Sequence, residues 1–582
     1  MAETSTNLNQ YSEEKKESES NNSSSSKKKK SVSAQEMAKK QREISIAEFF
    51  EKNRHLLGFD NKRKALLTTI KEAVDNALDA CDEAGMLPEL EVVITNMDDD
   101  RYRISIQDNG PGIVKKQIPK IFAKLLYGSK FHSLKQNRGQ QGIGISASVM
   151  YGQLTTGRPA KIISKTEGAE EAHYYELKID TKKNKPEIVK DEIRSWSQEH
   201  GTKIQIDLEG SYAKGVQSVD EYLKQTAIIN PHTTIIYVNP KGEQIIFPRG
   251  SEEIPEQAEE IKPHPYGVEL GMMIKMLQWT KTRNIDQFLR TEFTRVGKKT
   301  SGEILEKAAI PPKTKPSKIS RDMAEKLIKA IKDTRIMMPP TDCISPITAE
   351  LLEKGLKKEI NAEFYTSVTR SPAVYRGNPF VIEAALAYGG TLNSEGSVNV
   401  MRFANKVPLL YQQGACAASE AISNTNWKSY GLQQSGNNLP RGPCTILVHI
   451  ASVWVPFTSE AKEAIAHYPE IVKEIKLAVQ ELGRNLSKYV NKKKKVKYEL
   501  KKRSFIEKYI PTVAEALKEI LEYSDIEEKN LTKQLEKLLS KERGEVEDVE
   551  FDASKNKEYD EEFANIGKKE DEDSEEGDED DE

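Results

Sequence analysis

The stretch Glu72-Ala-Val-Asp-Asn76-Ala-Leu-Asp79-Ala-Cys81 has the spacing of an amphipathic helix. Glu72, Asn76 and Asp79 stand at positions i, i+4 and i+7, so they share one face of that helix. The apolar residues between them lie largely on the other side and can pack on a sheet. A carboxylate and a carboxamide one turn apart suit a general base and a metal ligand. A solvated helix face is the alternative, and the charge pattern alone favours it.

A second segment, Asp108-Asn109-Gly110-Pro111-Gly112-Ile113, directly follows a predicted strand at Tyr102–Ile106. An aspartate at a strand end, followed by two glycines, presents a carboxylate where the backbone can approach a flat ligand closely. Asn-Gly and Pro-Gly are also common turn dipeptides, so a plain turn is the alternative interpretation.

A third segment, Arg138-Gly139-Gln140-Gln141-Gly142-Ile143-Gly144-Ile145, leads into a predicted helix at Ser146–Met150. Glycines ahead of a helix N-terminus expose N–H groups beside the positive end of the helix dipole, and together these bind phosphate. The GxxGxG spacing matches neither the Rossmann fingerprint nor the Walker loop. By itself such a loop identifies no family.

The order and spacing of the three segments resemble the Bergerat-fold (GHKL) ATPases, the superfamily of gyrase, heat-shock chaperones, histidine kinases and mismatch-repair proteins. The resemblance implies that Glu72 is the general base and that Asn76 binds Mg²⁺ on the phosphates. It also implies that Asp108 recognises adenine and that Gly112 admits the base edge. The other ATP contacts it implies are Ser129 and Lys130 in the lid, Gly139, Gln140, Gln141, Gly142, Ile143, Gly144 and Ile145 in the loop, and Thr202.

The pattern of predicted elements divides the chain into several regions, and the expected fold class is α+β multidomain. Residues 44–262 alternate helical and strand patterns, which predicts a mixed α/β domain. Between residues 263 and 346 the strand signal stops and short helices are predicted, so we expect a helical insert. Strands return in residues 347–497, which end in a long helix from Pro469 with an apolar stripe of about five turns.

The two ends of the chain are predicted to lie outside these domains. Residues 1–43 are mostly Ser, Asn, Lys and Glu, so we expect a disordered tail. The C-terminal extension, residues 498–582, carries an amphipathic helix near Ile510–Tyr523 and ends with eleven acidic residues among the thirteen from Glu570 to Glu582. Removing these eleven charges from the net charge of −3 leaves +8, which suits a protein that works near a polyanion. Tails of this kind also serve solubility alone.

Composition excludes several classes of protein. The four cysteines are far apart and form no CxxC pair, which argues against a disulfide scaffold or a zinc ribbon and indicates a reducing compartment. The sequence has no run of about 18 apolar residues, and its polar N-terminus has no signal-peptide pattern. We therefore expect an intracellular protein without a membrane partner.

Two downstream segments narrow the family. Arg402-Phe-Ala-Asn-Lys-Val-Pro-Leu409 and Asn426-Trp-Lys428-Ser-Tyr-Gly431 closely resemble the transducer domain of the DNA topoisomerase VI B-subunit family. The resemblance runs from Phe49 to about Val490 and implies a GHKL ATPase domain, a helix–two-turns–helix insert and a transducer domain in that order. It also implies that Lys428 is the switch lysine that reaches the γ-phosphate. Without the resemblance, Lys428 is simply an exposed loop cation.

The helical insert resembles the helix–two-turns–helix domain of that family, a fold also found in DNA-repair glycosylases. Its basic residues suit contacts with DNA phosphates. Ordinary solubilising charge is the alternative. The residues are Lys281, Arg283, Arg290, Arg295, Lys298 and Lys299.

The resemblance implies the ATP-hydrolysing subunit of a type IIB DNA topoisomerase, with ATP and Mg²⁺ as cofactors and double-stranded DNA as a partner. It implies a separate tyrosine-bearing cleavage subunit in a two-plus-two heterotetramer that relaxes supercoiled DNA. ATP would dimerise this chain, with Phe49-Phe50 acting as a strap across the second copy. An archaeal-type, cytoplasmic and nucleoid-associated setting is implied as well.

Two alternatives remain open. One is a mismatch-repair-type ATPase clamp that holds DNA without a cleavage partner. The other is a structural relative with a decayed ATP site.

Overall fold

The computed structural model describes residues 37–38, 43–130, 133–139, 142–459, 461–521 and 524–543. Most of the predicted tail 1–43, the acidic C-terminal end and the loop residues Gln140 and Gln141 lie outside these ranges. The described residues from Ser45 onward belong to one compact unit.

The first sheet carries the three nucleotide-site motifs. Its strands are β1 (Glu89–Asp98), β2 (Arg101–Asp108), β3 (Ala160–Lys165), β4 (Ala172–Asp180), β5 (Lys185–Arg194), β6 (Gly201–Glu209), β7 (Thr234–Val238) and β8 (Gln244–Phe247). Within the described residues their order is β5-β4-β3-β6-β2-β1-β7-β8. β1 is antiparallel to β2 and parallel to β7. Buried and partly exposed positions alternate along β2, because one face of the sheet packs on helices.

The helices of this region position the motifs. They are α1 (Ile46–Lys52), α2 (Lys62–Ala84), α3 (Ile118–Ala123), α4 (Gly144–Thr156) and α5 (Val219–Ile229). Helices α2, α4 and α5 contact the sheet, and α2 contacts the other two. The Asn61 side chain caps α2 by accepting the Lys64 N–H, and Gly85 ends it in the left-handed region with φ 68°. The sequence predicts a helix over Lys71–Cys81, and α2 extends beyond these bounds at both ends.

The helical insert has a hydrophobic core of its own, which includes Phe288, Leu305 and Leu327. The sequence predicts helices over residues 272–279, 285–292, 300–309 and 321–334, and each is found with both ends within two residues of the predicted ones. Capping residues explain two of the starts, because Asn284 and Ser320 each accept a backbone N–H from the first turn. The helices are α6 (Leu270–Trp279), α7 (Ile285–Glu292), α8 (Lys298–Lys307) and α9 (Arg321–Lys332).

A second sheet forms the transducer region. Its elements are α10 (Ala349–Glu359), β9 (Phe364–Thr369), β10 (Ala373–Tyr375), β11 (Asn378–Tyr388), β12 (Asn399–Ala404), β13 (Val407–Pro408), α11 (Ala417–Ser423) and β14 (Cys444–Ser452). Among the described residues the strand order is β10-β11-β14-β12-β13, and β9 pairs with β11. β14 is buried along its whole length because both faces of the sheet are covered.

The chain continues into two long helices, α12 (Pro469–Leu521) and α13 (Asp525–Arg543). The predicted stripe on α12 is buried against the second sheet at Ile471, Ile475 and Leu482. The separate helix predicted near Ile510–Tyr523 is wrong, since α12 continues through the basic run and through Pro511. A proline inside a helix costs about 3 kcal/mol, yet Pro511 does not interrupt α12. The surrounding residues are mostly good helix formers and carry the helix past it.

The two sheets are joined by close packing of α10 on α5. A Cβ added at Gly355 would lie 2.1 Å from the carbonyl oxygen of Ile228, so only glycine allows this approach. One shared apolar cluster includes Ile229, Leu352 and Leu447 from the two regions.

Three strands were missed from the sequence: β5, β8 and β9. β5 is an edge strand with little burial on either face, so it lacks the alternation that marks a half-buried strand. No helix in the described part of the chain is both long enough and apolar enough to cross a membrane.

Candidate nucleotide site

A cavity of about 370 Å³ lies where α2, the glycine-rich loop and the transducer region meet. The transducer region reaches it through residues 408–411 and 461–463. Among the predicted site residues, those that line the cavity are Glu72, Asn76, Asp108, Gly112, Ser129, Lys130, Gly139, Gly142, Ile143, Gly144, Ile145 and Thr202. Gln140 and Gln141 lie outside the described residues.

Glu72 and Asn76 face this cavity from one side of α2, as their spacing predicts. Gly144, the first residue of α4, lies against the Glu72 carboxylate. A Cβ added at Gly144 would stand 1.6 Å from Glu72 Oε2, so any side chain at this position would displace the Glu72 carboxylate. The Asn76 side chain is exposed to the cavity.

Asp108 lies at the end of β2 with one carboxylate oxygen already occupied. Its Oδ1 accepts the N–H groups of Gly110 (2.9 Å) and Thr202 (3.1 Å). Burial raises the pKa of the Asp108 carboxyl to about 6, and the two N–H donors limit this rise. The second carboxylate oxygen is left for a donor in the cavity.

Gly112 lies beside strand β3 with φ 72°, and a Cβ there would come within 2.0 Å of the Lys165 carbonyl oxygen. The Ser164 hydroxyl, also on β3, accepts the Ile113 N–H (2.8 Å) and lies 3.0 Å from Thr202 Oγ1. These bonds tie the second motif to Thr202 and to the sheet. The turn is thus fixed in place beside Asp108.

The described part of the glycine-rich loop ends at the N-terminus of α4. Gly142 has φ 59°, a conformation that favours glycine, and its carbonyl accepts the Tyr127 N–H (3.3 Å). The first N–H groups of α4 have no partners within the helix and lie on the cavity side, where Ile143, Gly144 and Ile145 line the wall. This arrangement suits phosphate oxygens.

Lys130 lines the cavity, but its ammonium is paired with carboxylates of α2. Its ammonium forms ion pairs with Asp79 (2.9 Å) and Glu83 (2.8 Å) on the next turns of α2. Asp79 shares a face with Glu72 as predicted, yet its carboxylate serves this pairing and a second one with Arg138. Lys130 therefore makes no direct approach to Asn76 or Glu72 in this structure.

Arg138 forms a buried anchor that we did not expect from the sequence. Its guanidinium pairs with Asp79 (2.9 Å) and Asp82 (2.7 Å) and donates to Asn230 Oδ1 (2.6 Å). Because the side chain is 4% exposed, these charges stabilise one another in a low-dielectric environment. The anchor holds the start of the glycine-rich loop against α2 and against the end of α5.

Lys428, the predicted switch lysine, does not line the cavity in this structure, and its role as the switch lysine stays a prediction. Lys428 is exposed on the turn Trp427–Tyr430, whose Trp427 ring is fully buried in the transducer core. Tyr430 of the same turn packs on α12, where a Cβ at Gly483 would come within 2.2 Å of the ring. These apolar anchors hold the turn against the transducer and its long helix.

Lys462 is the transducer cation that reaches the cavity instead. Its ammonium donates to the Arg138 carbonyl oxygen (3.2 Å), at the start of the glycine-rich loop. Burial lowers the pKa of Lys462, while the nearby carboxylate of Glu72 opposes that shift. No local pattern marks Lys462, because its place depends on how the transducer folds back onto α2. The aromatic neighbours of Lys428 serve the packing of its turn, as the burial of Trp427 shows.

Two family models match the regions that meet at this cavity. Residues 61–210 match the histidine kinase-, DNA gyrase B- and HSP90-like ATPases, and residues 339–502 match the topoisomerase VI B subunit transducer. The chain is 51% identical over 490 residues to the B subunit of type 2 DNA topoisomerase 6 from Methanococcoides burtonii, covering 84% of this chain and 79% of that protein. This chain belongs to the topoisomerase VI B-subunit family.

Other relatives agree with this membership. The corresponding B subunits of Methanosarcina acetivorans and Archaeoglobus fulgidus are 52% and 49% identical, covering 84% of this chain and 79% and 81% of those proteins. The Bergerat-fold ATPase and transducer predicted from the motifs are thereby confirmed as a fold class. As a member of the topoisomerase VI B-subunit family, the chain is an ATP-hydrolysing subunit of a type II DNA topoisomerase.

Proposed function

We propose that this chain binds Mg²⁺ and ATP in the cavity, dimerises on binding them, and uses hydrolysis to drive one DNA duplex through another. A separate tyrosine-bearing cleavage subunit would open the duplex, in a two-plus-two heterotetramer that relaxes supercoiled DNA. The observation that carries the proposal is Lys462, a transducer cation that lies in the ATPase cavity near Glu72. A cation so placed can sense the γ-phosphate and move with the transducer when that phosphate leaves.

The donors around Asn76 fit a Mg²⁺ ion that is held mainly by phosphates. The exposed amide of Asn76 offers one oxygen to the cavity. The described residues contain no group of three or more His, Cys, Asp or Glu side chains that could hold a metal, so an all-protein cage is not available there. Mg²⁺ commonly uses one or two protein oxygens and keeps its other positions for phosphate and water. When bound, the ion would neutralise charge on the β- and γ-phosphates.

Glu72 would act as the general base. Its carboxylate lies against Gly144, at the helix N-terminus that would hold phosphate oxygens. A water between this carboxylate and the γ-phosphate would lose its proton to Glu72 as it attacks. Lys462 would stabilise the charge that develops on the phosphate.

The adenine end of the cavity would be read by Asp108 and Gly112. The Oδ2 atom of Asp108 would accept a hydrogen bond from the amino group of the base, since Oδ1 already accepts two N–H donors. Gly112, which lines the cavity and packs closely on β3, would lie along the base edge. Lys130 would leave its ion pairs with Asp79 and Glu83 when the lid closes on the phosphates.

The strap proposed for the dimer is helix α1. Ala47 is buried and Phe50 packs on the ATPase core, whereas the Phe49 ring is 40% exposed. Ser45 caps α1 and also donates its hydroxyl to the Thr181 carbonyl oxygen, which ties the strap to its own chain. Phe49 is therefore the residue that we propose contacts a second copy.

We propose that the insert contacts DNA and that α12 carries the motion toward the cleavage subunit. The six basic residues of the predicted DNA-binding face are all exposed on the insert, which supports phosphate contacts. α12 is anchored in the transducer at one end and carries exposed apolar side chains such as Phe505 and Tyr509 further on. We propose that the chain acts on chromosomal DNA in the cytoplasm.

The experiment that tests this proposal compares two lysine variants of the same region. Lys462→Ala should retain ATP binding and lose most ATP turnover, by about a hundredfold, because the charge on the γ-phosphate is no longer neutralised. Lys428→Ala is the matched control and should hydrolyse ATP at nearly the normal rate, because Lys428 lies outside the cavity. Steady-state hydrolysis and nucleotide affinity are measured for both. Normal turnover in Lys462→Ala would contradict the proposal.

A further inference from the structure

Glu463, the residue after Lys462, joins the transducer to the ATPase domain through an ion pair. Its Oε1 lies 2.5 Å from the ammonium of Lys64, in the first turn of α2. The side chains of Lys64 and Glu463 are 15% and 8% exposed, so the pair is largely shielded from solvent. Salt screens such a shielded pair less than it screens the solvent-exposed ion pairs elsewhere on this protein.

Both partners are held by further contacts. The Gln412 side chain donates to the other carboxylate oxygen of Glu463 (2.5 Å), so the carboxylate bridges two domains. Lys64 also pairs with Asp60 (3.2 Å), and its ammonium lies 5.3 Å from the centre of the Tyr411 ring. Burial alone would lower the pKa of Lys64, but its bonds to Glu463 and Asp60 raise the pKa above its ordinary value.

The backbone next to this ion pair is strained at Lys462. Lys462 has φ 53°, in the left-handed region that non-glycine residues rarely adopt. Such a conformation persists only where surrounding contacts hold it. Since Glu463 follows Lys462 directly, its bond to α2 fixes the chain just where the Lys462 side chain turns into the cavity.

We propose that Glu463 and Lys64 form a latch that positions Lys462 on the γ-phosphate, and that Glu463 is a positioning residue rather than a catalytic one. This inference rests on the proposed function of the same site. α2 carries Lys64 in its first turn and Glu72 two turns later, so the latch sets the distance between the transducer cation and the base. Breaking the latch lets the transducer keep its fold while Lys462 leaves its place.

The test uses the full chain with its cleavage partner and three single variants. Glu463→Gln and Lys64→Met each remove one side of the latch with little change in size. Lys62→Met is the matched control, because Lys62 lies two residues before Lys64 on α2 and pairs with Asp100 and Glu209 of the ATPase domain. Steady-state kcat and KM for ATP, nucleotide affinity and thermal melting are measured for each.

We expect Glu463→Gln and Lys64→Met to lower kcat by about tenfold while KM changes by less than about twofold, since the defect lies in positioning and not in binding. The double variant should be no slower than either single one, because both break the same contact. On a Lys462→Ala background neither change should cost further activity. A loss of folding alone would lower the melting temperature without this pattern of non-additivity.

Two outcomes overturn the latch and are distinct from failure of the proposed function. If Lys462→Ala is impaired but Glu463→Gln and Lys64→Met match Lys62→Met in kcat, the latch is wrong and the ATP site stands. Losses that multiply in the double variant would also overturn it. Normal turnover in Lys462→Ala would contradict the proposed function itself, and the latch with it.

Discussion

Single residues decide the shape of the nucleotide cavity, and several of them are glycines that allow close approach because they lack a side chain. Gly144 lies against the Glu72 carboxylate and Gly112 against the Lys165 carbonyl oxygen, and a Cβ at either position would collide with these groups. Asp108 is fixed by two N–H donors and so presents one oxygen in a defined direction. The chemistry of the site thus depends on close approach as much as on the charged groups.

Gly144→Ala tests that close approach. The added methyl would lie 1.6 Å from Glu72 Oε2, so the carboxylate must leave its position. We expect kcat for ATP hydrolysis to fall by about a hundredfold or more, the usual contribution of a general base. Gly139→Ala, whose methyl would meet nothing nearer than 3.8 Å, should lose less than about tenfold. Equal losses in the two variants would show that the contact with Glu72 is unimportant.

The raised pKa of Asp108 predicts that ATP affinity depends on pH. Below pH 6 the free protein takes up a proton on Asp108, whereas a donated bond from adenine favours the ionised carboxylate. Affinity should therefore fall as the pH drops through 6, by up to about tenfold per unit. His200 lies near enough to influence this titration and lowers the Asp108 pKa.

Asp108→Asn is the control for the pH series. It should bind ATP weakly at neutral pH, because its amide group would point an N–H donor at the amino group of the base. The ratio of wild-type to variant affinity, measured by calorimetry between pH 5 and 8, removes the titration of the nucleotide itself. A ratio that stays constant with pH would contradict adenine recognition by ionised Asp108.

Sequence reasoning worked at this scale where function depends on local spacing. The three motifs line the cavity because each lies on one helix, one strand end or one loop. It failed for Lys462, whose position depends on the return of the transducer to α2 across several hundred residues. It also missed Arg138 as an anchor, because its partners Asp82 and Asn230 are distant in the chain.

At the scale of elements, α12 is the feature that departs most from expectation. Its buried stripe follows the predicted periodicity through Leu486 to Tyr489, which packs on the same core. Beyond this point the helix has few buried residues, and local propensity carries it to Leu521. Amphipathic periodicity could therefore predict where α12 packs and not where it ends.

Gly483→Ala tests how the Trp427–Tyr430 turn is seated on α12. The added methyl would lie 2.2 Å from the Tyr430 ring, so the ring and its edge contact with Trp427 must move. We expect the free energy of unfolding to fall by about 1–3 kcal/mol, as for other overpacked sites. Urea denaturation followed by tryptophan fluorescence measures the change.

Gly302→Ala is the matched helical control for that experiment. Nothing lies within 4 Å of a methyl at Gly302 in α8, so the change should stabilise the protein by about 0.5–1 kcal/mol. A stabilising effect at both positions would contradict the packing of Tyr430 on α12.

At the scale of the whole molecule, the protein is built so that one cavity belongs to two domains. In the proposed function the ATPase domain would supply the base, the adenine acceptor and the phosphate loop. The transducer, whose residues 461–463 line the same cavity, would supply a cation. The contact between the two domains contains buried charges. Lys406 of the transducer lies near Arg138 and Asp82, and burial lowers the pKa of Lys406 to about 8. Loss of phosphate can in this way move one domain relative to the other.

Domain order was readable from the sequence because composition and periodicity change along the chain. The contacts between domains could not be predicted, since they join residues such as Gly355 and Ile228 whose local sequence shows no pattern that indicates the contact. The predicted boundaries at residues 262, 346 and 497 stay predictions, although the helical insert has its own core.

The central claim is that ATP hydrolysis at this cavity drives passage of one duplex through another. Its most direct test is a relaxation assay on supercoiled plasmid, with the protein purified together with its cleavage partner, Mg²⁺ and ATP. We predict linking-number changes in steps of two that require ATP and are lost in Glu72→Ala, which should still bind the nucleotide. ATP hydrolysis without any change in linking number, in the presence of the cleavage partner, would contradict the account.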